Sequence, residues 1–184
     1  MGGVMLLSLA AIIFVLYEVF LADRGSGAVT AARPPVNIPA NARRFSSLDD
    51  LFRAGRLTTP FALMLTEPEL NARVQTELAK QPNLPFRDLH AKIVDGRIDF
   101  DGQANVGGLT VATTVGIRFF ADNGALGYEI QSINFGPVPV PAVARQTLTE
   151  QIDKQLAGQN MTAAWALDQV DQRPGVVTIV GHPK

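Results

Sequence analysis

The chain has 184 residues, 47% of them hydrophobic and 18% charged, with 16 basic against 17 acidic side chains and no cysteine. That length suits one domain plus an appendage, and a net charge of −1 offers no overall basic footprint for nucleic acid or anionic headgroups. The missing cysteines exclude disulfides, thiolate metal sites and thiol catalysis together.

Much of the apolar share sits at one end. Residues 4 to 22 read VMLLSLAAIIFVLYEVFLA, in which only Ser8 and Glu18 are not apolar. Without this block the chain is about 42% apolar, ordinary for a soluble domain. As a helix the block is about 28 Å long, close to the ~30 Å hydrocarbon core of a bilayer. Residues 1–22 are therefore predicted to be a membrane-spanning anchor, with Leu6, Ile12, Phe14, Leu16, Tyr17, Glu18 and Phe20 in contact with the membrane. A cleaved signal peptide is the competing reading, with Val29-Thr30-Ala31 as a processing site. Against it, the apolar core exceeds the usual ~7 to 15 residues, and no Lys or Arg precedes it. The folded part is expected outside the cytoplasm, as in a signal anchor, although Arg24 and Arg33 lean the other way on the positive-inside count. Glu18 lies within a turn of the far end, where it reaches the interface; its alternative is a polar contact with another membrane helix.

Residues 23–45, rich in Gly, Ala and Pro and without a period, read as a tether. An extracytoplasmic α+β domain follows over 46–184. Ser46-Ser47, early acids at Asp49 and Asp50, and Gly55 as a stop predict a short helix over 48–54. Residues 57–65, LTTPFALML, form a strand-like run. Thr66-Glu67-Pro68-Glu69 has capping-box spacing and opens a helix striped by Leu70, Val74 and Leu78, which ends at Pro82 and Pro85.

From Phe86 to Phe135 the chain carries hairpin signals at Asp95-Gly96, Gly107-Gly108 and Asn123-Gly124, each flanked by alternating residues. Two-residue loops would pair Ile93 with Ile98, Ile98 with Ile117, and Ile117 with Ile130, one isoleucine row across a four-strand antiparallel meander. On the opposite face Lys92 meets Asp99, His90 meets Asp101, and Arg118 meets Glu129. The prolines of 136–141 bar an interior strand. A helix from near Pro141 to Leu156 carries Ala144, Leu148, Ile152 and Leu156 on one side, with Gly158 as its stop. A C-terminal hairpin, 164–171 and 176–181, turns at 172–175. The predicted fold class is α+β: an N-terminal transmembrane helix plus a curved antiparallel sheet, made of the four-strand meander and the C-terminal hairpin, packed on one or two helices.

No catalytic set emerges, and no metal or cofactor is expected. His90 belongs to a cross-strand pair, and His182 lies near the C-terminus, where fraying would spoil a catalytic geometry. Asp99 and Asp101 have basic partners opposite, and the glycines belong to turns rather than to phosphate loops. Asn160-Met161-Thr162 fits the glycosylation pattern, a match common by chance. What remains is the apolar sheet face. Beside the isoleucines stand Ala91, Phe100, Val115 and Ser132, then Leu89, Gly102, Thr113 and Asn134, with Ala104 and Val111 beyond. Size falls toward that end. Such a taper admits either a close-packed helix or a groove for an apolar ligand, and in the second case Leu89, Ala91, Phe100, Gly102, Ala104, Val111, Thr113, Val115 and Ser132 line it.

Leu65 to Asn71, the Asp95-Gly96 hairpin, the connector from Gly136 to Pro141, and Trp165 to Val170 followed by Gly175 to Gly181 resemble the YpmS-like family of bacterial membrane-anchored extracytoplasmic proteins. The resemblance covers about 60–181 plus the anchor. It implies a single N-terminal span, an outward domain, and a tubular lipid-binding architecture with a long helix held in a curved sheet. It carries over no catalytic residue. The tether and the helix at 48–54 depart from the family pattern. The expected function is non-enzymatic binding of a membrane lipid or another apolar molecule, with no nucleic-acid partner. The alternative is a structural or assembly subunit that contacts other membrane proteins through the N-terminal helix and tether.

Overall fold

The computed structural model describes residues 36–54, 57–80, 86–106, 109–139, 146, 150 and 165–184. In chain order the described elements are β1 (Arg43–Phe45), α1 (Leu48–Arg53), β2 (Phe61–Thr66), α2 (Glu67–Lys80), β3 (Phe86–Val94), β4 (Arg97–Val106), β5 (Leu109–Asp122), β6 (Ala125–Phe135), β7 (Val138–Pro139), β8 (Trp165–Arg173) and β9 (Val176–Pro183). They form an α+β arrangement of two sheets. A small sheet has the order β1-β2-β9-β8, and a large one the order β3-β4-β5-β6-β7.

Both helices start where their caps dictate. Ser47 Oγ accepts the Asp50 N–H at 3.1 Å and donates to Asp50 Oδ2 at 2.8 Å, which opens α1. Glu69 reaches back to accept from the Thr66 N–H at 2.8 Å and from its hydroxyl at 2.7 Å, which opens α2. Leu70 and Val74, on the predicted stripe of α2, are fully buried.

The meander forms in the predicted register: Ile93 faces Ile98, Ile98 faces Ile117, and Ile117 faces Ile130. All four isoleucines are buried. At the Asn123-Gly124 turn both residues are left-handed, φ 51° and 83°, as a two-residue hairpin matched to the strand twist requires. Pairing between β4 and β5 reaches Val106 and Leu109, and Gly107-Gly108 lie outside the described residues.

Three bulges break the simple alternation. Arg87 pairs Gln103 but His90 pairs Asp101, so Asp88 and Leu89 together oppose Gly102; Asp88 takes a left-handed φ of 53° there. In β6, Ile130 pairs Ile117 but Ser132 pairs Gly116, which leaves Gln131 without an opposite residue. In β8, Asp168 is the extra residue between Leu167 and Gln169.

The C-terminal hairpin does not extend the meander as predicted. It joins β2 in the small sheet, where β9 pairs antiparallel with β2, and β1 pairs parallel on the far side of β2. Its turn is shorter than 172–175, since pairing runs to Arg173 and Val176. The strand expected over 57–65 begins at Phe61, and Leu57 is buried without being part of it. Among the prolines of 136–141, Val138–Pro139 forms a two-residue terminal strand, in keeping with the bar on an interior one.

The two sheets are joined through β8. Leu167 N–H donates to Gly124 O at 2.8 Å, Gly96 N–H to Gln172 O at 3.0 Å, and Gly175 N–H to Ile93 O at 3.0 Å. The buried Gln172 amide adds a bond to Phe119 O at 2.8 Å. Between the sheets lies one apolar core that includes Phe61, Leu63 and Ile179 from the small sheet and Phe100, Ile117 and Ile133 from the large one.

Arg43–Phe45, placed in the tether by composition, is a strand of the small sheet. The residues just before it cross that sheet. Asn37 N–H donates to Gln169 Oε1 of β8 at 3.2 Å, while Arg43 pairs with β2 at the opposite edge. Spanning three strand spacings takes about 14 Å, and six extended residues reach about 20 Å. Ala62 and Val180, paired on β2 and β9, alternate away from the core and are still buried.

The expected anchor, with Leu6, Ile12, Phe14, Leu16, Tyr17, Glu18 and Phe20, lies outside the described residues, as do Pro82, Pro85, Gly158 and Asn160 to Thr162. So does most of the helix expected from Pro141 to Leu156, of which Gln146 and Glu150 are described and helical, the amide donating to the carboxylate at 3.4 Å. Among the described residues no helix is long and apolar enough to cross a membrane.

Candidate functional site

The predicted ligand face is the inner face of the large sheet. Ala91, Phe100 and Val115 stand side by side on β3, β4 and β5, and all are buried. Leu89 lies against Gly102, Gly102 pairs Thr113, and Ala104 pairs Val111. Leu89, Ala104 and Thr113 are buried; Gly102 and Val111 are half-buried.

Ser132 does not belong to this face. The bulge at Gln131 turns it to the other side, opposite Gly116, and brings Ile133 beside Val115 with 1% exposure. The same shift places Phe135, not Asn134, opposite Thr113. The expected taper is thereby confined to β4 and β5, because β6 fills its part of the face with Ile130, Ile133 and Phe135.

Gly102 has a structural reason of its own. A Cβ there would lie 3.1 Å from Arg87 O, 3.1 Å from Leu89 Cδ1 and 3.2 Å from Leu89 Cα. The bulged β3 approaches β4 so closely that only glycine fits without displacement.

The edge of β3 is closed by side chains of α2. Gln75 Nε2 donates to Leu89 O at 2.7 Å. Asn71 Nδ2 donates to Ala91 O at 2.8 Å, and its Oδ1 accepts the Ala91 N–H at 2.7 Å. Glu67 Oε2 accepts the Ile93 N–H at 3.0 Å. Four helical residues rise about 6 Å and two strand residues about 6.7 Å. Residues i, i+4 and i+8 of α2 therefore match j, j−2 and j−4 of β3, which runs in the opposite direction, and the helix supplies the hydrogen bonds a further strand would have supplied. These residues looked in sequence like an ordinary polar helix face. Their spacing on the side flanking the Leu70 stripe was the available signal.

The polar face keeps its register but exchanges partners. Asp99, opposite Lys92, takes Arg97 of its own strand, at 2.7 Å to Nε and 3.3 Å to Nη2. That hydrogen bond raises the Arg97 pKa further above its ordinary value. Asp101, opposite His90, accepts the Thr114 hydroxyl at 2.7 Å. Arg118 and Glu129 stand 3.7 Å apart, as the pairing predicts. His182 is not frayed: it sits in β9, paired with Ala166, its Nδ1 2.8 Å from Asp168 Oδ1 on the β8 bulge. Both side chains are close to half exposed. Among the described residues, no group of three or more His, Cys, Asp or Glu is placed to hold a metal ion.

No protein-family model, characterised protein or solved structure matches the chain.

Proposed function

We propose that the chain is a membrane-anchored, extracytoplasmic, non-enzymatic domain that binds lipid or another apolar molecule on the inner face of the large sheet, within a tubular lipid-binding kind of fold. The observation that carries this reading is where the closure by α2 stops. Its side-chain bonds to β3 run from Ile93 to Leu89. At that level stand Gly102 and Thr113, and beyond it the inner face of β4 and β5 continues with Ala104 and Val111, small or short residues on strands of 10 and 14 residues. A face of such residues suits packing against an acyl chain. The bulges in β3 and β6 add to the reading, because each bends its strand and favours a concave sheet.

The test uses the full chain purified in a neutral detergent. Native mass spectrometry after detergent removal should find co-purifying lipid, and a fluorescent fatty acid should bind saturably. Ala104→Phe, which puts a large side chain on that stretch of the face, should abolish probe binding while the far-ultraviolet spectrum is kept. A chain without lipid and without response to acyl probes would refute the reading. Stoichiometric recovery of other membrane proteins in that case would favour an assembly subunit.

A further inference from the structure

The terminal strand of the small sheet borders a second feature. A cavity of about 370 Å³ is lined by Arg43, Arg44 and Phe45 of β1, by Ser46, and by Asp50 and Arg53 of α1. Three arginines and one aspartate are among its lining residues, in a chain whose net charge is −1. The overall balance that spoke against an anionic partner therefore conceals a local positive excess.

The single carboxylate is already engaged. Asp50 Oδ2 accepts the Ser47 hydroxyl at 2.8 Å. Its Oδ1 lies 3.9 Å from Arg53 Nη1, a long contact between two mostly exposed side chains that does not tie up the Arg53 fork. Arg43 Cζ lies over the Phe45 ring, 5.0 Å from its centre. Arg43 and Arg44 are successive residues of a terminal strand, so their side chains leave it on opposite faces. Guanidinium forks pair bidentately with phosphoryl oxygens, and arginine is the side chain best suited to recognise them.

We propose that this cleft is an anion site for phosphoryl groups, separate from the apolar face and independent of what that face binds. The phosphoryl group has two sources. One is the headgroup of a lipid, a source that rests on the membrane anchoring proposed above. The other is a free phosphate or small phosphate ester.

The experiment follows the arginine Nε–Hε resonances of the full chain in neutral detergent. The probes are inorganic phosphate, glycerol phosphate, and short-chain phosphatidylglycerol against short-chain phosphatidylcholine. Saturable shifts at Arg43, Arg44 and Arg53 are expected at millimolar probe, weakening as salt is added. Arg43→Gln with Arg53→Gln should weaken binding about tenfold or more, and Arg43→Lys should weaken it less, keeping the charge but losing the fork. Arg87→Gln, an exposed arginine outside the cleft, should bind like the parent. Preference for phosphatidylglycerol over both phosphatidylcholine and the soluble phosphates assigns the lipid source; equal or better binding of the soluble phosphates assigns the other. Should the double variant melt early, Arg44→Gln alone carries the test. The proposal is overturned if no probe gives saturable shifts, if Arg87→Gln weakens binding as much as the cleft variants, or if the folded cleft variants bind like the parent.

Discussion

Asn71→Ala removes both hydrogen bonds that close the edge of β3 at Ala91, those at 2.7 and 2.8 Å. The alanine cannot replace them, and the Ala91 N–H and C=O lose their partners at a position where the Ala91 side chain is 2% exposed. A buried polar group left unsatisfied costs about 1 to 3 kcal/mol. Two such groups, in a partly buried setting, set the loss at about 3 kcal/mol, from which the better helix propensity of alanine returns about 0.6 kcal/mol. A net destabilisation of about 2 to 3 kcal/mol follows. Urea unfolding of the full chain in neutral detergent would measure it through Trp165, the single tryptophan, whose ring lies 5.7 Å from that of Phe61. Hydrogen exchange at the Ala91 amide should accelerate in the same variant. Thr76→Ala, on the exposed side of α2 where the hydroxyl only bonds back to Ala72 O at 2.8 Å, should change stability little. Asn71→Asp separates shape from hydrogen bonding, since it keeps the acceptor for the Ala91 N–H and sets an oxygen against Ala91 O; it should be no better than alanine. A loss below about 0.5 kcal/mol for Asn71→Ala, on the same scale, would refute the idea that α2 closes the strand edge.

Gly102→Ala should destabilise by about 1 to 2 kcal/mol, because its Cβ would press on Arg87 O and Leu89 at 3.1 Å; equilibrium unfolding would detect it. Deleting Gln131 removes the extra residue of the β6 bulge and leaves Ile130, Ser132 and Ile133 alternating opposite Ile117, Gly116 and Val115, so Ile133 should stay in the core. Equilibrium unfolding should find a folded protein that has lost no more than about 2 kcal/mol, and failure to fold would show that the bulge itself is needed. Gln172→Leu should cost about 1 to 3 kcal/mol, since it leaves Phe119 O without the 2.8 Å bond that links the two sheets; thermal unfolding would show whether β8 still docks.

The meander was legible because turn chemistry and alternation constrain each other: once Asn123-Gly124 fixes a two-residue loop, Ile117 must face Ile130. The same arithmetic failed beyond Gly116, where a bulge adds Gln131 without leaving any mark in the alternation of QSINF. Plain alternation therefore puts Ser132 on the apolar face. The second sheet was not legible because β2 and β9 pair across more than a hundred residues, a contact that no local pattern encodes. The crossing at 36–42 was hidden by its composition, since a proline-containing segment without a period reads the same whether it is free or laid over a sheet. The arginine cleft went unseen because a net charge averages Arg43, Arg44 and Arg53 with distant acids. The doublet at Arg43-Arg44 was its trace.

The contact between Asn37 and Gln169 changes where the domain is held. A pull on the chain before residue 36 does not arrive first at β1, the strand nearest in sequence. It arrives at β8, which is bonded into the small sheet on one side and to Gly124 and Gly96 of the large sheet on the other. Load entering there is shared by both sheets. Only after the Asn37 bond parts does the force pass to the three-residue strand β1, where it would peel that strand from β2 one pair at a time.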